Sequence, residues 1–223
     1  MTKLSRALGM PPMEGRLTSR IPGIRYENGI LALDGALVVE VFDGVLVIHE
    51  LRVIDPFGAG RHFVADVTAR NLDLGMLTRT YSFGSIEGRF DADLHDLDIV
   101  GWKPTRFTVR LNDSPGTYPR LLSLGALQDI TALGEGTAGE ALKQIPERAI
   151  GGFAYAHIDI GGKLRDGVFQ LEGIARDGDG VVLMEGSGIP SVRIIGYNSR
   201  IDWEALVARI REVIAGKPGV VIE

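Results

Sequence analysis

Cysteine is absent from all 223 residues. That removes disulfide scaffolds, thiolate zinc sites, iron–sulfur clusters and cysteine nucleophiles together. It places the chain in no particular redox compartment. Long apolar runs are also missing. The longest are short pieces such as Val45–Ile48 and Val181–Met184, far below the roughly 18 residues a membrane-spanning helix needs. The start of the chain carries Lys3 and Arg6 with no apolar stretch behind them, so it does not read as a signal peptide. The sequence therefore reads either as cytosolic or as lacking its targeting and anchoring part. An excess of positive charge is lacking too. Lys plus Arg number 24 against 29 Asp plus Glu, a net charge of −5, which gives nucleic acid no basic footprint.

Motifs of catalysis are scarce. His49, His62, His95 and His157 are isolated, with no H-x-x-x-H or H-E-x-x-H spacing. No metal or cofactor site is expected, and no catalytic residue is assigned. Gly186-Ser187-Gly188 lacks the spacing of a nucleophile elbow. Gly134–Gly139 matches G-x-G-x-x-G, but it lies between two predicted helices rather than between a strand and a helix, and so reads as a helix–helix turn. Asp177-Gly-Asp179-Gly180 opens like a calcium loop, yet Val181 and Gly188 stand where ligands belong, so a hairpin turn is expected. One acidic run, Glu87, Asp91, Asp93, His95, Asp96 and Asp98, admits two readings. Same-face residues on a strand lie roughly 7 Å apart, a spacing at which paired carboxylates serve glycosidases or hold a cation. The plainer reading is the solvated face of a strand that also carries Arg89.

What the chain does have is glycine, 30 of 223 residues, about twice the usual share of about 7%. Many fall in turn pairs: Asn28-Gly29, Asp34-Gly35, Asp43-Gly44, Asp166-Gly167, Asp177-Gly178 and Asp179-Gly180. Such pairs accept the positive φ of a type I′ turn and predict a succession of hairpins. Period-2 alternation supports this. Ile86, Gly88, Phe90, Ala92 and Leu94 alternate with Glu87, Arg89, Asp91, Asp93 and His95; Phe63, Ala65, Val67 and Ala69 alternate with His62, Val64, Asp66, Thr68 and Arg70; and Phe107, Val109 and Leu111 alternate with Arg106, Thr108 and Arg110. Strands are also expected over 153–160, 167–175 and 192–195. Helices are expected over 71–80, 118–133, 137–148 and 202–215, the last with Asp202 as N-cap. Trp102 and Trp203 are expected to anchor packing. Three segments that open on glycine, at 29–35, 88–94 and 167–173, form a weak internal repeat of a β unit.

The fold class that follows is β-rich α+β: an antiparallel meander forming a curved, groove-like sheet, with a few covering helices and a C-terminal helix. Residues 1–117 are expected to form the β-meander and 118–223 a helical insert (118–148) with further strands and the last helix, with one continuous domain as the alternative division. With little chemistry in view, the main resource of the chain is apolar strand surface. If four modest helices leave part of it bare, that part meets a protein, a membrane or a lipid.

One stretch carries a resemblance. Gly186-Ser-Gly-Ile-Pro-Ser-Val-Arg-Ile-Ile-Gly-Tyr-Asn-Ser-Arg-Ile-Asp-Trp203 resembles the ending of AsmA-like proteins of the Gram-negative envelope, in their YdbH-like branch, historically labelled dicarboxylate transport. Ile130–Gly136, Leu164–Gly173 and Asn71–Gly75 followed by Gly88–Leu94 resemble the same pattern. The likeness spans roughly residues 70–215 and rests on turns and strands rather than on a catalytic signature. It implies a long β groove with an apolar lining that carries phospholipid or another acyl lipid in the periplasm, without enzymatic activity. It also implies the rest of a larger envelope protein, or an outer-membrane partner, as company. The chain would then be the C-terminal segment of such a protein or a truncated relative. The expected lining is Phe63, Val67, Ile86, Phe90, Leu94, Phe107, Val109 and Leu111; for each of these, an ordinary place in the core under the helices is the alternative. For the whole chain the alternative is a protein-interaction or structural β module of the envelope with no lipid cargo.

Overall fold

The computed structural model describes residues 15–18, 23–58, 60–133, 152–189 and 191–215. The strands run β1 (Gly15–Thr18), β2 (Gly23–Glu27), β3 (Ile30–Asp34), β4 (Ala36–Val41), β5 (Gly44–Ile54), β6 (His62–Asp73), β7 (Ile86–Glu87), β8 (Arg89–Val100), β9 (Lys103–Asp113) and β10 (Leu121–Leu122). They continue with β11 (Phe153–Arg165), β12 (Val168–Gly173), β13 (Ala175–Asp177), β14 (Gly180–Gly186), β15 (Arg193–Gly196) and β16 (Arg200–Asp202). Among the described residues there are three helices, α1 (Leu74–Thr80), α2 (Leu124–Leu133) and α3 (Trp203–Ile214). The expected β-rich architecture is what the chain adopts: one antiparallel sheet with few helices, one of them near the C-terminus. The G-x-G-x-x-G stretch and the helix expected at 137–148 lie outside the described residues.

The spine of the sheet is β4-β5-β6-β8-β9-β11. It forks at both ends. β5 pairs with β4 through one half and with β3 through the other. β11 pairs with β14 near its start and with β12 near its end. Strands from both sides of residue 118 pair directly, β9 with β11 and β7 with β10.

Long strands keep one apolar face only if the alternation survives their twist. Three bulges arrange this. In β5, two residues, Glu50 and Leu51, oppose Ala65 alone; in β6, Arg70 and Asn71 oppose Asp91; in β8, His95 and Asp96 oppose Asp66. Glu50, Asn71 and Asp96 take φ of 52°, 56° and 53°. Each extra residue resets the count, so Leu51, Leu72 and Leu97 rejoin the apolar face that simple period-2 counting would deny them. An extra residue also leaves an amide without a ladder partner. Twice the residue opposite is an aspartate that accepts it: Asn71 N donates to Asp91 Oδ1 and Asp96 N donates to Asp66 Oδ1, both at 2.8 Å. The Ser114 hydroxyl donates to Asp91 as well.

The turns depart from the glycine pairs in instructive ways. Asn28-Gly29 and Asp166-Gly167 are central turn pairs with positive φ at both residues. Between β4 and β5 the central pair is Phe42-Asp43, one residue earlier than expected, because Phe42 is drawn into the core at 6% exposure. Asp177–Gly180 makes one hairpin, not two. Asp34-Gly35 makes none. β3 and β4 both lie along β5, so Gly35 (φ 114°) is a kink opposite the Glu50 bulge. All three glycines that open the repeat, Gly29, Gly88 and Gly167, have positive φ and lead into β3, β8 and β12.

The helices are capped as their sequences suggest. Asp73 accepts from Met76 N at 2.7 Å, Ser123 Oγ from Ala126 N at 3.1 Å, and Asp202 from Ala205 N at 2.8 Å. α2 begins at Leu124 rather than Tyr118, because Leu121 and Leu122 are extended as β10 between β7 and β11. Two core clusters form on the apolar face. The larger lies with α1 and α2 and includes Leu72, Phe90, Leu122, Leu127, Phe153 and Tyr155. Burial pushes the Tyr155 phenol well above its ordinary range, with a further push from Asp113, so it stays a donor to Glu87 O at 2.8 Å. The smaller cluster, Phe107, Leu164 and Phe169, lies under Trp203 and Leu206 of α3. Here the Phe169 ring sits over Gly162, where a Cβ would come within 2.3 Å of it.

The bulge carboxylates supply a test. Asp66→Ala and Asp91→Ala each hand an exposed bulge amide over to water and are expected to cost about 0.5–1.5 kcal/mol in urea unfolding. Asp66→Asn, whose side-chain oxygen still accepts, is expected to retain most of that stability.

Candidate functional site

The two faces of the spine differ sharply. One carries an ion-pair lattice. Arg70 meets Asp93 at 2.6 Å, Arg110 meets Asp159, Arg89 meets Asp43, and Lys163 meets Glu172 at 3.1 Å. Of the acidic run, Asp93, Asp96 and Asp98 belong to this lattice, while Glu87 lies apart on β7, paired with β10. Asp91 serves the Asn71 bulge, Asp93 binds Arg70, Asp96 lies 3.8 Å from Arg165, and Asp98 pairs with His62 at 2.7 Å and Arg106 at 3.7 Å. These carboxylates are tied to neighbouring strands; each exposed pair adds little stability, and together they keep the face wet. The histidines stand apart: His49 contacts Thr68, His62 contacts Asp98, His95 contacts Asp66 and His157 contacts Asp113. Among the described residues no group of His, Cys, Asp and Glu is disposed to hold a metal ion. An open depression of about 630 Å³ lies where the Gly35 kink meets the Glu50 bulge, lined in part by His49, Asp66, Thr68 and His95. Asp177, in the segment that resembles a calcium loop, binds Arg193 at 3.1 Å.

The other face is apolar across its width. Register places Tyr26, Leu31, Val53, Phe63 and Ile99 in one row over five strands. With strands about 4.8 Å apart, the row is roughly 19 Å wide. A second row runs Leu37, Ile48, Val67, Leu94 and Val109. The helices cover this face unevenly. Of the expected lining, Ile86, Phe90 and Phe107 are buried in the two clusters and are core. Leu94 and Val109 flank the smaller cluster, and Leu111 flanks the larger. Phe63 and Val67 belong to neither, and remain half-buried. So do Leu31, Val53 and Ile99, with Ile24 and Tyr26 more exposed still, at 61% and 55%. Among the described residues, the apolar face therefore continues beyond the helices, toward β2 and β3.

At that end three turns lie side by side. Asp55 N donates to Gly29 O at 2.9 Å, tying the β5–β6 connection to the β2–β3 turn. Gly101 N donates to Arg61 O at 3.1 Å, tying the β8–β9 turn to the same connection. Phe57, 84% exposed, meets Tyr26 edge-on at 6.0 Å between centroids. Trp102, 64% exposed, leans on Phe63 at 5.1 Å. The two tryptophans thus diverge: Trp203 is packed with Phe107 and Phe169, whereas Trp102 caps an open edge. Trp102 also sits at φ 66° after Gly101 at 56°, the second central position of a type I′ turn, where Asn or Gly is preferred. Alternation patterns see strands, not turn tips, so sequence reading passes over Phe57. The only signal at Trp102 is a large aromatic beside a glycine between two strands.

No helix among the described residues is long and apolar enough to cross a membrane. Comparison with known protein families, curated proteins and solved structures finds no match to this chain.

The turn geometry yields an expectation. A bulky residue held left-handed costs about 1–2 kcal/mol, while an aromatic pair returns about 0.5–1.5 kcal/mol. Trp102→Asn removes both, so thermal unfolding is expected to show a change within about 1 kcal/mol. A loss of several kcal/mol would make Trp102 an ordinary packing residue.

Proposed function

We propose that the chain is a non-enzymatic lipid-binding segment of an AsmA-like protein of the bacterial envelope, acting in the periplasm, and that its uncovered apolar sheet face shields acyl chains of a phospholipid from water. The observation that carries this reading is the row Tyr26, Leu31, Val53, Phe63 and Ile99, which is apolar over five strands and outside both core clusters. A flat apolar strip of this kind suits a ligand that offers methylene groups. Each CH₂ removed from water contributes about 0.8 kcal/mol, so a chain is held without a charged clamp. The opposite face, with its ion pairs, stays in water. The resemblance of 186–203 to the AsmA-like ending adds the envelope setting. The second reading, a structural or protein-interaction module without lipid, draws on the outer edge of β2, which has no strand partner among the described residues.

Gentle purification followed by organic extraction and mass spectrometry tests the proposal. Phospholipid near one molecule per chain is expected with the wild-type protein. Phe63→Glu and Val67→Glu, which set a charge on the strip, are expected to lower that content at least about tenfold while leaving the circular dichroism of the sheet in place. Wild-type protein free of lipid, or bound through β2 to another polypeptide instead, would favour the second reading.

A further inference from the structure

We infer that the turn end of the sheet is an anchor for the surface of a phospholipid bilayer, with Phe57 and Trp102 as the residues that enter it. The inference rests on the lipid-binding reading and extends it to the membrane with which a bound chain is exchanged. Four observations point to a bilayer rather than to a protein.

The first is shape. The two most exposed rings of this end stand on adjacent turns, the β5–β6 connection and the β8–β9 turn, tied together by the Gly101–Arg61 backbone hydrogen bond. They form a projecting edge, not a pocket that a partner's side chain fills. The second is composition. Ile30, Ile54 and Val100 flank the three turns and are exposed beside the rings, which gives the mixed aliphatic and aromatic edge found where a protein meets a membrane–water interface. The third is continuity. Tyr26 and Phe63, on which Phe57 and Trp102 rest, lie in the same row of the uncovered strip. An acyl chain leaving the bilayer beside either ring meets apolar side chains at once. The fourth is charge. Lys103 is paired with Glu204 of α3 at 3.0 Å, and Arg61 shares the turns with Glu27 and Asp55, so the edge has no positive excess, suits zwitterionic headgroups and needs no anionic lipid.

The probe is a phosphatidylcholine vesicle. Wild-type protein is expected to co-sediment with such vesicles and to do so equally in about 1 M salt, where the Debye length is only about 3 Å. Bromine on the lipid acyl chains is expected to quench the emission of Trp102, read alone in Trp203→Phe protein. Phe57→Ser is expected to weaken vesicle binding at least about tenfold, and Trp102→Asn likewise. Phe57 is almost wholly exposed, so the serine variant is expected to fold as wild type. Unchanged binding by Phe57→Ser, binding confined to anionic vesicles and lost in salt, or a dimer in solution that shields Trp102 would each overturn the anchor. Lipid content of the same preparations separates the two ideas. Vesicle binding by lipid-free wild-type protein would sink the lipid-carrying reading and leave the anchor standing. Lipid-loaded protein that ignores vesicles would do the reverse.

Discussion

The structure depends on one constraint: long antiparallel strands must keep a single apolar face while they twist. Strict alternation would fail over eleven- and twelve-residue strands such as β5, β6 and β8, because their polar and apolar residues do not alternate without interruption. The bulges at Glu50, Asn71 and Asp96 absorb the mismatch. Asp66 and Asp91 then satisfy the amides that two of those bulges release. The same aspartates that look like surface charge are therefore what lets Leu72 and Leu97 reach the side where the helices lie.

Everything functional follows from how that face is covered. α1 and α2 close one part over Phe90, Leu122 and Phe153, and α3 closes another over Phe107, Leu164 and Phe169. Among the described residues, the three helices leave β2, β3 and the neighbouring ends of β5 and β6 outside both clusters. Burying apolar area is worth about 25 cal/mol per Å², so leaving a row of five strands half-bare forgoes stabilisation that the chain has the residues to claim. On the proposed reading that open surface is kept for a ligand, and a lipid matches a strip without polar clamps.

Much of this was legible in the sequence and some was not. Strands, caps and the antiparallel class follow from alternation and from Asp202 ahead of Trp203, because local chemistry dictates them. The bulges escaped because a period-2 count along Ile86–His95 stops just where Asp96 restarts it. Asp34-Gly35 has the chemistry of a hairpin turn, but long-range pairing of β3 and β4 with β5 overrides it. The candidate lining divided for the same reason. Phe90 and Phe63 look alike in sequence, yet a helix packs over one and not the other, and only tertiary structure decides which. Phe57 and Trp102 lie in turns, where no periodicity marks them.

The central claim is that one face of the sheet, and only its uncovered part, meets acyl chains. A photoactivatable phospholipid, cross-linked to the protein and mapped by peptide mass spectrometry, tests it most directly. Labels on Tyr26, Leu31, Val53, Phe63 and Ile99, with none on Asp93, Arg110 or Lys163 of the opposite face, are the predicted result. Labels spread evenly over both faces, or none on the row, would contradict the account.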